Sequence, residues 1–282
     1  MTAKHTANFT PVNTANNNAI DSTCFAIGFE RVFDMKESAN FKNLENSLKN
    51  ELPSFSTLAK VSVTIQQSGN DEPKFYSQEN LANAPQGVVL QKFGADGIVD
   101  WILQVTDNKI IINCNDYVNW DNTWQKAKCF LLEVLKLLDL QTNKITFVAL
   151  QVIDKFIYAD SENYKLEDIF QIDSSYLTPR AKSCGNLWHV HQGWFEPMHN
   201  TKCLNVLNIG SVEVNEGLFT ITDHNQQVVF DKLPLPLENL LKKEDDKGII
   251  EAIYKDLHVN NKKVVEGLFN KTTLELIKFY GK

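Results

Sequence analysis

The chain has 282 residues, 43% of them hydrophobic, enough for one large core or for two small ones that share a sheet. Its formal net charge of −7 and pI near 5.4 supply no general attraction to a phosphate backbone or an anionic bilayer, so nucleic acid and membrane are disfavoured partners. No apolar run reaches spanning length, and the Asn/Thr-rich opening lacks the apolar stretch of a secretory signal, which makes the cytoplasm the expected compartment.

Residues 1–21 show no periodic apolar pattern and are expected to form a flexible arm ahead of a single α+β domain over 22–282. CFAIGFERVF (24–33) sets Phe25, Ile27 and Phe29 on one strand face, and the following stretch spaces Phe41, Leu44, Leu48 and Leu52 for a helix. LAKVSVTIQQ (58–67), GVVLQKFG (87–94), VDWILQVTD (99–107) and KIIINCND (109–116) read as an antiparallel meander, with turns at Gly94-Ala95-Asp96-Gly97 and Asp107-Asn108. A helix is predicted over 122–140, capped by Asp121 or Asn122, with Trp124, Ala127, Leu131, Val134, Leu135 and Leu138 along its stripe. KITFVALQVIDKFIYA (144–159) is almost continuously apolar, as suits the middle strand of a sheet.

Residues 160–185 have the profile of a connection with a short helical turn. LWHVHQGWFE (187–196), CLNVLNIGSVEV (203–214) and LFTITDHNQQVVF (218–230) then form a second meander, followed by helix over 245–279 interrupted at Val259-Asn260-Asn261. The predicted fold is therefore α+β: a mostly antiparallel sheet built from two meander halves (22–159 and 186–282), with amphipathic helices on one face. The other face must then be covered or bind something.

Cys24, Cys114, Cys129, Cys184 and Cys203 are odd in number and widely spaced, which reads as reduced thiols. The densest polar constellation is Cys184, His189, His191, His199 and Cys203. On a strand His189 and His191 share a face, and His199 or Cys203 could complete a tetrahedral zinc or manganese site. The spacing matches no established zinc pattern, however, and two histidines at i and i+2 arise equally where a strand face meets water. No cofactor is expected, and a metal-dependent hydrolase or nuclease using His189, His191 and His199 stands as the alternative. An acid–base site could draw on His189 or His191 with Asp154 or Glu196, but the chain has no GxSxG, Walker, GxGxxG, HExxH or CxxC signature. In WHVHQGWFE, the aromatic residues around Gly193 make Trp188, His189, His191, Trp194 and Phe195 the candidate binding surface. The plainer reading is that Trp188 and Trp194 fill the sheet–helix layer and Gly193 marks a bulge.

DYVNWDNTWQKAKCFLLEVLKLL (116–138), FVALQVIDKF (147–156), NNKKVVEGLFNKTTLELIKFYG (260–281) and the opening CFAIGFERVF together resemble a sporadically distributed family of uncharacterised bacterial proteins of about this length. The resemblance covers most of the chain from about residue 24, and it departs at Gln151-Val152, where the family often has Arg-Tyr, and at Asp154, where Asn is usual. It implies a fold and no activity, and the family's patchy distribution hints at mobile-element or defence biology. The expectation is a non-catalytic binding or regulatory protein, acting through a protein partner or as a homo-oligomer, in a phage-defence or toxin-type module. A small apolar ligand held near Trp188 and Trp194 is a further alternative.

Overall fold

The computed structural model describes residues 8–13, 18–58, 63–66, 74–77, 87–158, 161–214, 217–230, 234–241, 243–244 and 247–280. Strand β1 (Phe9–Pro11) is followed by β2 (Ile20–Phe29), whose alternation turns Phe25, Ile27 and Phe29 into the core. Asp34 then opens α1 (Met35–Asn40) with a capping box: its carboxylate accepts from the Glu37 amide at 2.8 Å, and the Glu37 carboxylate accepts from the Asp34 amide at 2.9 Å. Phe41, Leu44, Leu48 and Leu52 are all buried, but the chain there runs as α1, a 3₁₀ turn and the short α2 (Leu44–Ser47) instead of one helix.

The first meander is β6 (Gly87–Phe93), β7 (Val99–Thr106) and β8 (Lys109–Cys114), with β3 (Ser54–Leu58) on its edge beside β6. The strand expected at 58–67 lies partly outside the described residues. Its described portion, β4 (Val63–Gln66), pairs with β5 (Lys74–Ser77) as a separate hairpin. Helix α3 (Trp120–Leu135) is capped by Asn119, whose side chain accepts from the Asn122 amide, and buries Trp124, Ala127, Phe130, Leu131, Val134 and Leu135. Strand β9 (Lys144–Tyr158) leads through α4 (Leu166–Ile169) to the second meander, β10 (Trp188–Met198), β11 (Thr201–Val214) and β12 (Gly217–Val229). The chain closes with β13 (Leu235–Pro236), α5 (Leu237–Leu241), the hairpin β14 (Lys243–Glu244) and β15 (Lys247–Gly248), α6 (Ile249–Leu268) and α7 (Lys271–Leu276).

The large sheet has the order β10-β11-β12-β9-β2-β8-β7-β6-β3, with β1 and β13 also paired to β9. At its centre β2 and β9 pair antiparallel. The other neighbour of β2 is β8, the last strand of the first meander, and the other neighbour of β9 is β12, the last strand of the second. Helix α3 follows β8, and after β12 the chain passes through β13, α5 and the β14–β15 hairpin to α6, so each meander is followed by a long helix. The apolar core forms two clusters on the helix side of the sheet. One gathers Phe25, Leu103, Ile112, Phe130 and Tyr254, and the other Phe156, Trp188, Ile209, Leu268 and Phe269.

Two further sequence expectations need correction. Phe9, placed in the flexible arm, is buried in β1 against Phe156 at 5.7 Å, because pairing with β9 gives its ring a core position. Helix α6 runs unbroken through Val259-Asn260-Asn261, and the helical break falls at Phe269-Asn270, where Asn270 caps α7 by accepting from the Thr273 amide at 2.8 Å. No described helix is long and apolar enough to cross a membrane.

Candidate functional site

Strands β10, β11 and β12 lie in unbroken antiparallel register, so strand alternation alone decides which side chains meet. Trp188 and Trp194 turn toward the helices. The Trp188 indole donates to the Tyr164 hydroxyl at 2.8 Å and meets Phe170 edge-on, while Trp194 stacks on His224 at 6.0 Å and leans on Tyr176. His189, His191 and Phe195 are exposed on the opposite side. The five-residue surface expected from WHVHQGWFE is therefore divided between two faces of one sheet. Gly193 pairs with Val206 without a register shift, so the expected bulge is absent. A Cβ at Gly193 would stand 3.2 Å from the Asn205 carbonyl.

On the open face a polar row crosses four strands. Gln151 of β9 donates its amide to Asp223 Oδ1 at 2.8 Å, Asn208 Nδ2 of β11 reaches Asp223 Oδ2 at 3.4 Å, and Asn208 Oδ1 meets His191 Nδ1. The Asp223 carboxylate oxygen accepts, so Asn208 turns its NH₂ to Asp223 and its oxygen to His191. His191 Nδ1 is then the donor to Asn208, and this row makes no contact with Nε2. Next to it His189 faces Gly210, and a pocket of about 430 Å³ is lined by His189, Asn208, Gly210, Val212, Ile221 and Asp223. A Cβ on Gly210 would lie 3.3 Å from the His189 ring, so the bare glycine is what lets that imidazole lie over β11.

His199 does not join this pair. It occupies the tight turn between β10 and β11, where His199 and Asn200 have φ of 50° and 58°. It stands eight positions along the chain from His191, roughly 26 Å at strand rise. Its Nε2 lies instead 3.1 Å from Asp256 Oδ2 of α6, without the alignment of a hydrogen bond. Among the described residues no three His, Cys, Asp or Glu side chains are grouped to hold a metal. Cys114 and Cys203 are buried, Cys129 is exposed, and all five cysteines are free. Asp154 and Glu196, considered as acid–base partners of His189 or His191, sit on the helix side. The residues that reach His191 are Asn208 and, through it, Asp223.

A second polar group lies between the sheet and α6, and sequence reasoning missed it. His224 Nδ1 is 2.9 Å from Asn261 Oδ1 and its Nε2 is 3.2 Å from Asn205 Oδ1. Asn260 Nδ2 reaches Asn205 Oδ1 and Gln226 Oε1 at 3.0 Å and Glu196 Oε2 at 3.2 Å, and Gln226 donates to the Leu257 carbonyl at 3.0 Å. Burial drives the His224 pKa down to about 4, so the ring is neutral at pH 7. A neutral ring donates from one nitrogen and accepts at the other, so one of the two asparagines must present its NH₂. Beside this layer, burial pushes Asp154 up to about 7, and the Thr222 hydroxyl, its ladder neighbour on β12, has no hydrogen-bond partner. The sequence signal was available: Asn205, His224 and Gln226 occupy strand positions where alternation calls for apolar residues, and Asn260-Asn261 stands inside a helical pattern.

No family model and no curated protein matches the chain.

Proposed function

We propose that this is a non-catalytic binding or regulatory protein that takes up a protein partner at the free corner of its sheet, where edge strand β10 meets the open face of β11 and β12. The observation that carries this reading is the state of the β10 backbone. The strand runs eleven residues in straight register with β11, and among the described residues no backbone group outside β11 bonds to it. A long, unpaired edge of this kind is a template for an added strand, with backbone bonds supplying affinity and alternate side chains supplying selection. Pro197 fits an edge position, since it has no N–H to give to a ladder on both sides. Phe195, 64% exposed, would be the apolar anchor, with His191 and His189 beside it on the same face. The acidic net charge favours protein over nucleic acid as the occupant. The resemblance to sporadically distributed bacterial proteins suggests a phage-defence or toxin-type module as the setting.

The test is native mass spectrometry of the chain purified gently from its own cells, beside a Phe195→Lys variant. An added protein mass at fixed stoichiometry, lost in the variant while its circular dichroism is unchanged, supports the reading. A doubled chain mass with the same sensitivity identifies the partner as a second copy. A bare monomer from both proteins, or a partner retained equally by the variant, overturns it.

A further inference from the structure

We propose that His189 and His191 bind one divalent transition-metal ion of the zinc or copper type on the open face, with Asn208 and Asp223 orienting His191 from behind. This inference does not depend on partner docking. The first argument is placement. Two residues apart on one strand face, the histidines have Cα atoms roughly 6.7 Å apart, a spacing from which both imidazoles can turn onto a single ion at about 2.0–2.1 Å. The second is the hydrogen-bond pattern. A metal-bound imidazole typically donates its other N–H to an oxygen, and that partner is already in position here: Asn208 Oδ1 accepts from His191 Nδ1 because the Asn208 NH₂ is turned to Asp223. His191 Nε2 is thus the ring nitrogen that this row leaves to a metal.

The third argument is availability. Among the described residues no hydrogen bond engages the ring nitrogens of His189, and the ring lies over Gly210 beside the pocket that Asp223 also lines. The chain supplies two ligands, so water or a group from outside the chain completes the coordination, and binding is weaker than at a closed four-ligand structural site. A two-imidazole set with open positions suits a borderline ion such as Zn²⁺ or Cu²⁺ better than Mg²⁺ or Ca²⁺, which take oxygen ligands.

The experiment is calorimetric titration of the full-length, chelator-treated chain with Zn²⁺ at neutral pH, repeated with Mg²⁺. One Zn²⁺ per chain and no Mg²⁺ is the expected result. His189→Ala and His191→Ala each weaken Zn²⁺ binding at least tenfold, and His199→Ala leaves it unchanged. Asn208→Ala keeps both ligands and still loosens the ion about 10-fold or more, as loss of a ligand's orienting partner does. His191→Gln serves as a second removal of the same ligand, and circular dichroism checks that every variant is folded. Cobalt loading should show no thiolate charge-transfer band, which separates this site from the exposed Cys129. The proposal is overturned if Zn²⁺ binds no tighter than millimolar, if binding survives the histidine substitutions, or if Asn208→Ala binds as the unaltered chain does.

Discussion

Replacing Asp154 by Asn should stabilise the protein, and by an amount that grows with pH. Asp154 is 4% exposed on the helix side of β9, and burial moves its carboxyl from 3.8 in the open chain to about 7 in the fold. Below pH 3.8 both states carry the proton and burial of the group costs little. Between pH 3.8 and 7 the unfolded chain releases the proton while the folded chain keeps it, so stability falls; above 7 the loss is complete. Three pK units at 1.36 kcal/mol each set that loss at about 4 kcal/mol, an upper figure because local relaxation reduces it. Asn is nearly isosteric and never ionises, and its NH₂ is offered to the unpartnered Thr222 hydroxyl beside it. The expected gain for Asp154→Asn is therefore roughly 1–2 kcal/mol at pH 5 and about 4 kcal/mol at pH 8. Urea unfolding of both proteins at the two pH values measures it, and contributions from histidines cancel in the difference. A gain of equal size at both pH values, or none at pH 8, refutes the reasoning.

Further outcomes follow from the layer between sheet and helix and from the open face. Asn261→Ala leaves His224 Nδ1 buried without a partner and should cost about 1–3 kcal/mol in urea unfolding; an unchanged midpoint would show that water replaces the amide. Burial holds His224 and His258 near 4, below their ordinary 6.5, so both stay neutral in the fold while the unfolded chain takes up protons. Their contribution is complete above pH 6.5 and is lost as the pH falls to 4, and His258→Phe, which keeps a ring stacked on Trp120, should flatten part of that acid slope in thermal melts. Gly210→Val places a Cβ 2.7 Å from the Trp188 carbonyl and 3.3 Å from the His189 ring, which should cost about 1–3 kcal/mol and abolish binding at the histidine pair. A valine variant of full stability and unaltered Zn²⁺ affinity would argue against the close approach.

The elements that the sequence itself determined are those whose side-chain period reports burial directly. Phe25, Ile27 and Phe29 alternate because β2 buries one face, and Trp124, Leu131 and Leu135 recur at helical spacing because α3 does the same. The apolar character of β9 on both faces marked it as an interior strand, and it lies between β12 and β2. The two-residue period of WHVHQGWFE likewise sets its tryptophans and histidines on opposite faces, which is why the single surface expected there is divided. Tertiary structure alone decided the rest, because the deciding contacts cross between strands and layers. The breaker-like pair Asn260-Asn261 continues a helix because Asn205, His224 and Gln226 come to face it across 34 to 55 residues of chain. His191 finds Asn208 and Asp223 through register, and His199 leaves for Asp256 because a tight turn ends the strand between them. Local periodicity records how deeply a side chain is buried; which polar group it meets is set by strand register and helix packing, and these are properties of the whole fold.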